Sequence, residues 1–254
     1  MKKLILASAL APIFFSHGAF AQEAAAPDHQ FAYSATLTSD YRFRGISQTQ
    51  KEAALQFTVD YTNNPTGLYA GAFLSNIKWV KANALTFGGD DTAPVEIDFY
   101  GGKRGDLGAG FSYDVGGAYY YFPGESLKSI TAIGRAANTL EAYGQLGYGP
   151  VYLKYSYALT DTFATGDRGS YYIDAGVNFP LMEKWVLNAH AGRQHFEGQT
   201  AGNYEDFKLG LTNDFGFATG SIAYINTTGN TAFFTWNGTK VAGEAVVVSA
   251  TKAF

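Results

Sequence analysis

The chain has 254 residues, a formal charge of −4 at pH 7 and no cysteine; 16% of its residues are charged and 16% are aromatic. An average soluble domain has roughly 25% charged residues, and a nucleic-acid-binding protein would cluster Lys and Arg. This composition fits neither class, so we expect no nucleic-acid partner. The missing cysteine excludes disulfides and thiolate metal sites.

The N-terminus has the pattern of a secretory signal peptide. Lys2 and Lys3 precede the apolar stretch LILASALAPIFF, and the sequence AFA at 19–21 supplies a cleavage pattern. The alternative is an uncleaved anchor, but the apolar run is too short to span a hydrocarbon layer of ~30 Å. We therefore predict a signal peptide at 1–21, a short periplasmic segment at 22–29 and a single folded unit at 30–254.

The first strand is predicted from strict alternation that begins at Phe31 and continues to Arg44. Asp40, Arg42 and Arg44 would share one face of this strand, because side chains alternate with a period of two. The opposite face would carry Phe31, Tyr33, Ala35, Leu37, Ser39, Tyr41 and Phe43.

The same alternation recurs along the rest of the chain and predicts about twelve strands, with ten or fourteen as the neighbouring even numbers. The later strands are predicted near 53–61, 68–79, 95–100, 111–121, 140–148, 151–159, 171–179, 187–194, 207–211, 222–224 and 246–254. Those at 68–79 and 222–224 show the weakest pattern.

The connections alternate in length. The short ones are NNPTG, KRGDLG, GYGP, PLMEK and NDFG, and longer polar ones lie near 44–51, 80–94, 122–138, 160–169, 196–203 and 226–240. Short turns at one end and long loops at the other are typical of outer-membrane barrels. In the loop at 122–138, Leu127, Ile130 and Ile133 would either constrict the lumen or, as we prefer, extend the strands or cap the mouth.

The apolar face of these strands would meet either lipid or a shared core. A soluble sandwich is the alternative, but the charges fall almost entirely on the other face, and aromatic residues recur at the strand ends, as in the girdles of membrane barrels. Those aromatics are Phe31, Tyr33, Tyr41, Phe43, Tyr61, Phe111, Tyr148, Phe179 and Trp185. We predict an all-β, transmembrane antiparallel barrel in the bacterial outer membrane, with lipid as a partner.

Several stretches resemble one bacterial family. SDYRFRGISQT, GLYAGAFLSNI, YYYFPGES, LEAYGQLGYGPVYLKYSYALT and the C-terminal VVVSATKAF are similar to the TorF-type porin family, a proteobacterial family of uncharacterised outer-membrane proteins. The resemblance implies an outer-membrane barrel with pore activity, and it implies no substrate or site residues. The terminal Phe254 resembles the signal through which the barrel-assembly machinery recognises its clients.

The function is expected on the interior face. Its candidate lining residues are Asp40, Arg42, Arg44, Gln56, Asp60, Glu96, Asp98, Asp114, Glu141, Lys154, Asp174, His190, Asp206 and Lys208. Acids outnumber bases, and Glu96, Glu141 and Asp174 would lie near mid-height, so we predict a weak cation preference. Twelve strands lie between filled eight-stranded barrels and open porins, which predicts a narrow passive channel for small hydrophilic solutes. The sequence does not give the oligomeric state.

The alternatives to a channel are a closed barrel, a lipid hydrolase and a metal-binding protein. A closed structural or ligand-binding barrel would result if the interior charges paired and filled the lumen. A lipid hydrolase would need a nucleophile within reach of a base, yet His190 has no serine at a suitable spacing and the chain has no G-x-S-x-G sequence. The sequence GGDD at 88–91 matches no calcium loop. We therefore expect neither an enzyme nor a metal, and no cofactor.

Overall fold

The computed structural model describes residues 27–90 and 93–254, and the predicted signal peptide lies outside them. Twelve antiparallel strands form a closed barrel. These strands are β1 (His29–Thr38), β4 (Ala54–Asn63), β5 (Leu68–Asn76), β6 (Val95–Gly108), β7 (Phe111–Tyr121), β8 (Thr139–Tyr148), β9 (Val151–Ala158), β10 (Asp167–Met182), β11 (Trp185–Glu197), β12 (Tyr204–Asp214), β13 (Thr219–Thr228) and β16 (Ala245–Ala253).

Smaller elements lie in the connections. They are the two-residue strands β2 (Arg42–Phe43), β3 (Ile46–Ser47), β14 (Thr235–Trp236) and β15 (Thr239–Lys240), the helix α1 (Trp79–Thr86) and single 3₁₀ turns at Leu127–Ser129 and Thr200–Gly202. Within the described residues, no helix is long and apolar enough to cross a membrane.

The barrel is an up-and-down meander in which each strand pairs with its neighbours along the chain. It closes where β1 pairs with β16, with Ala35 opposite Lys252, while the other edge of β1 pairs with β4. The predicted number of barrel strands and their antiparallel arrangement are therefore confirmed. Both edges of every barrel strand are paired, which is the condition for placing β-structure in lipid.

The connections sort by length between the two ends of the barrel. Short turns at 64–67, 109–110, 149–150, 183–184 and 215–218 lie at the end that also holds both ends of the barrel chain. The described segments at 39–53, 77–90, 93–94, 122–138, 159–166, 198–203 and 229–244 lie at the other end, as predicted. We call these the short-turn end and the long-loop end. The predicted connection KRGDLG is wrong in detail, because β6 continues to Gly108.

The outer surface of the barrel is apolar. Leu37, Leu153, Leu209 and Val248 each expose about half of their side-chain surface or more, and the exposed aromatics include Phe31, Phe111, Tyr148 and Phe179. A soluble monomer rarely exposes apolar area on this scale. The buried apolar side chains lie instead inside the barrel and its loops, where the long-loop end contributes most of them.

Candidate functional site

The segment Asp40–Thr49 does not continue the first strand as the alternation predicted. β1 ends at Thr38, and β2 and β3 pair as a hairpin, with Arg42 opposite Ser47 and Phe43 opposite Ile46. Its two-residue turn is Arg44-Gly45, and both residues have positive φ (47° and 79°), as in the tight turns that favour glycine. Asp40, Arg42 and Arg44 are therefore hairpin residues and not part of a strand face.

The hairpin folds into the barrel. Tyr41 is only 2% exposed, and Phe43 packs against the buried cluster, so the prediction that these two rings face outwards is wrong. At the tip, Thr227 of β13 donates a hydrogen bond from its Oγ1 to the carbonyl oxygen of Gly45 (2.9 Å). A Cβ at Gly45 would lie 2.5 Å from that same Oγ1. The tip thus contacts the barrel wall at a distance that only glycine permits.

Asp40 holds the hairpin in this shape. Its carboxylate accepts hydrogen bonds from Arg42 Nε (2.7 Å) and Ser47 Oγ (2.5 Å). Arg42 also donates from Nη1 to the carbonyls of Gly45 (2.9 Å) and Gly243 (3.2 Å). Arg42 therefore forms its hydrogen bonds within the loops, and these bonds fix the shape of the hairpin.

Arg44 reaches the opposite wall. Its two terminal nitrogens donate to the two carboxylate oxygens of Glu141 on β8 (2.9 and 2.6 Å), and Nη1 also donates to Gln194 Oε1 on β11 (3.0 Å). Its guanidinium carbon lies 4.5 Å from the ring centre of Tyr172. A bidentate arginine–carboxylate pair is geometrically specific, so this bridge joins the hairpin to two strands across the interior.

The strand candidates all lie on the interior face. Gln56, Glu96, Asp98, Asp114, Glu141 and Asp206 are at most 5% exposed, and Asp60, Lys154, Asp174, His190 and Lys208 are half-buried there. Their role in lining a conduit stays a prediction. The mid-height positions predicted for Glu96 and Glu141 are wrong, because Glu96 is the second residue of the 14-residue β6 and Glu141 the third of the ten-residue β8, so both lie near the long-loop end.

Interior tyrosines were missed by the sequence analysis. Their hydroxyls donate to lumen carboxylates: Tyr69 to Asp114 (2.5 Å), Tyr100 to Asp60 (2.6 Å), Tyr152 to Asp174 (3.1 Å) and Tyr172 to Asp206 (2.9 Å). Three of these side chains lie against a glycine that is their direct cross-strand partner, because Tyr69 pairs with Gly102, Tyr100 with Gly71 and Tyr152 with Gly176. Such tyrosine–glycine pairs can be recognised only when the strand register is known, and the sequence alone does not give the register.

The interior cations are similarly engaged. The ring of His190 lies between two carboxylates, 2.9 Å from Asp174 and 3.2 Å from Asp206. A hydrolase would instead need a nucleophile within hydrogen-bond distance of this ring. Lys154 Nζ lies 4.1 Å from the ring centre of Tyr143. Among the described residues, no group of three or more acidic or histidine side chains is arranged to hold a metal ion.

The long-loop end is filled by a hydrophobic cluster that caps the mouth. Leu127 is fully buried and Ile133 is nearly so, together with Trp79, Phe122 and other residues of the long connections. The loop at 122–138 thus contributes to a cap, which is the preferred one of its two predicted roles.

A cavity of about 40 Å³ lies within this cluster. Its wall is mainly aromatic, with four polar residues among the described residues that line it. The lining residues are Phe43, Ile46, Gln48, Trp79, Glu96, Phe122, Phe163, Thr165, Gln194, Phe196, Tyr204, Phe234 and Trp236. We call this cavity the aromatic pocket; the sequence analysis did not foresee it, since its residues come from many separate loops and strands.

Two acids at this level lack counter-ions. Glu96 is 2% exposed and Asp98 is fully buried, and within the described residues neither forms an ion pair. Oε2 of Glu96 and both carboxylate oxygens of Asp98 have no hydrogen-bond partner there either. Burying a carboxylate without a partner is costly, so this part of the interior favours an incoming positive charge.

Solved structures of porins share this fold. The KdgM porin in complex with disordered oligogalacturonate has 6% identity and a TM-score of 0.53, covering 88% of this chain and 98% of that one. The NanC porin has 10% identity and a TM-score of 0.52, covering 89% and 99%. LpxR from Salmonella typhimurium has 9% identity and a TM-score of 0.44, covering 88% of this chain and 99% of that one.

These similarities show a twelve-stranded barrel of the outer-membrane porin type, and at such low identity they show the fold alone. The comparison with curated proteins gives no match. One family model matches residues 21–254, nearly the whole chain, and it describes a bacterial protein of unknown function, Gcw_chp. The prediction of an uncharacterised bacterial family of porin-like barrels is thereby confirmed, and the narrower TorF-type name stays a prediction. The chain belongs to the Gcw_chp family.

Proposed function

We propose that this protein is a narrow outer-membrane channel for passive diffusion of small hydrophilic solutes, with a weak preference for cations. The long-loop end faces the cell exterior and the short turns face the periplasm, as in barrels of this layout. The observation that carries the proposal is the inward hairpin β2–β3, whose Arg44 bridges to Glu141 and Gln194 and narrows the interior.

The interior chemistry supports hydrophilic solutes. Below the hairpin, the wall presents carboxylates, tyrosine hydroxyls, His190 and two lysines, and such groups can replace the hydration shell of a passing solute. Acids outnumber bases on this face, and Arg44 is already paired with Glu141. The remaining charge therefore attracts cations.

Liposome swelling tests this proposal. Vesicles that contain the folded barrel should swell in isotonic solutions of small neutral polyols, and swelling should slow steeply as the solute grows, because a narrow lumen selects by size. Vesicles without protein are the control. Equal swelling for small and large solutes would contradict a narrow channel.

A closed ligand-binding barrel is the second candidate, and the aromatic pocket favours it. In that case the Arg44 bridge and the hydrophobic cap would seal the interior, and ligand would bind at the long-loop end without passing through. Vesicles that contain correctly folded barrel and do not swell for any solute would support this reading over the channel.

Assembly through the C-terminal strand is part of the same proposal. Phe254 is exposed, and its backbone N–H donates to the carbonyl of Tyr33 (3.0 Å) at the seam where β16 meets β1. We propose that the barrel-assembly machinery recognises this strand. Deleting Phe254 should lower the amount of heat-modifiable barrel in the outer membrane, and an unchanged amount would contradict this role.

A further inference from the structure

The aromatic pocket has the walls and the charge of a cation site. Trp79 and Trp236 lie 6.2 Å apart between ring centres, and Phe122 meets Trp79 edge-on at 5.0 Å. Phe234 lies 6.3 Å from Trp236 and adds a further ring. Aromatic rings attract cations that approach their faces, and cages of such rings bind organic ammonium groups.

The pocket also has one acidic lining group. Among the described residues that line it, only Glu96 has a carboxyl or basic side chain, and its Oε2 is buried without a hydrogen-bond partner. Asp98 follows two residues later on the same interior face of β6 and is unpaired as well. An ammonium group that donates to Glu96 would relieve a buried, unpaired carboxylate, whereas a neutral ligand would leave it unpaired.

The pocket is small. Its volume of about 40 Å³ lies well below the ~300–1,000 Å³ that is usual for sites of drug-sized ligands. Binding sites combine apolar walls with a few polar groups that fix orientation. Here the rings would cover a short apolar body of the ligand, and Glu96 would fix its charged end.

From these contacts we infer that the aromatic pocket binds small primary ammonium ions that carry a short alkyl body. The site does not depend on conduction, since the same contacts would form in a closed barrel. It therefore goes beyond the proposed channel and adds a ligand class that the hydrophilic interior alone would not select.

Tryptophan fluorescence offers a direct measurement. The chain has three tryptophans; Trp79 and Trp236 line the pocket, while Trp185 lies at the short-turn end and provides a constant background. The purified barrel should be titrated with ethylammonium, neutral ethanol and anionic acetate. We expect saturable binding that is tightest for the ammonium ion and weakest for acetate.

The variant Glu96→Gln removes the acid and nearly preserves the shape. Its affinity for ethylammonium should fall about tenfold or more, and its affinity for ethanol should be unchanged. Glu52→Gln is the matched control, because Glu52 is an exposed acid at the same end that pairs with Lys78 outside the pocket. That control should bind all three ligands as the unaltered protein does.

Three results would overturn the inference: no saturable change with the ammonium ion, equal affinity for the ammonium ion and ethanol, or unchanged affinity for the ammonium ion in Glu96→Gln. If Glu96→Gln does not fold, as judged by heat-modifiable gel mobility, the ranking of the three ligands on the unaltered protein decides alone. Ligand binding without liposome swelling would contradict only the channel, and swelling without binding would contradict only this site.

Discussion

Arg44 occupies an unusual position for a charged residue, at the tip of a tight turn with its guanidinium inside the barrel. Positive φ in a side-chain-bearing residue is uncommon, and here it aims the guanidinium at Glu141 and Gln194. The ring of Phe43 lies beneath it at 4.8 Å and that of Tyr172 at 4.5 Å. In the channel that we propose, Arg44 is therefore a cation that an entering solute would meet.

Replacing Arg44 with Gln should raise the permeability of cations relative to anions. The change removes a positive charge and frees the carboxylate of Glu141, and both effects favour cations in a narrow passage. The reversal potential across a salt gradient in a planar bilayer measures this. Arg193→Gln is the control, since Arg193 precedes Gln194 on β11 but is exposed on the outer face. A reversal potential that moves equally in both variants would contradict a special role for Arg44.

Gly45 provides a test of how tightly the hairpin tip fits. Gly45→Ala would place a Cβ 2.5 Å from Thr227 Oγ1 and 2.6 Å from Asp206 Cβ, so the tip must move away from the wall. Gly238→Ala is the control: this glycine also has positive φ (78°), but a Cβ there would meet nothing within 4 Å. Both variants carry about 1–2 kcal/mol of backbone strain, so the difference between them reports the contact.

We expect Gly45→Ala to lower the temperature at which the barrel unfolds on gels by more than Gly238→Ala does. Its single-channel conductance should rise, because a displaced tip widens the lumen. Identical unfolding temperatures and conductances in the two variants would show that the tip does not press against the wall.

At the scale of elements, period-two alternation was sufficient to place all twelve barrel strands. It could not distinguish a strand that crosses the barrel from a hairpin that folds into it, because both have the same period. Asp40, Arg42 and Arg44 alternate as a strand would, yet the chain turns after Thr38. Likewise, the aromatic pocket joins residues from distant loops, and the tyrosine–glycine pairs depend on register, so neither was predictable from local pattern.

The membrane-facing surface can be tested by depth. Leu209 lies in the middle of β12, and Leu107 lies next to the last residue of β6 at the short-turn end; both are more than half exposed. In a bilayer, Leu209→Arg should destabilise the barrel by about 2–4 kcal/mol and Leu107→Arg by about 0–1 kcal/mol. Unfolding by denaturant in lipid vesicles measures both. Equal destabilisation by the two substitutions would contradict a bilayer whose midplane lies at the middle of β12.

At the scale of the molecule, a closed wall surrounds an interior into which one connection folds. The strands pair all the way around, so the wall has no free edge through which it could widen. The hairpin, by contrast, is held by side-chain contacts to Glu141, Gln194 and Thr227. The interior below it is polar and the cap above it is aromatic, so the hairpin separates two chemical environments along one axis.

This account claims above all that the inward hairpin narrows the lumen beneath the hydrophobic cap of the long-loop end. The most direct measurement is single-channel conductance in a planar bilayer, for the unaltered protein and for a variant whose residues 40–49 are replaced by a Gly/Ser linker of equal length. We expect small conductance steps with a cation-selective reversal potential from the unaltered protein, and several-fold larger steps from the variant. Equal conductance from the two, or silence from both although each is folded, would contradict the account.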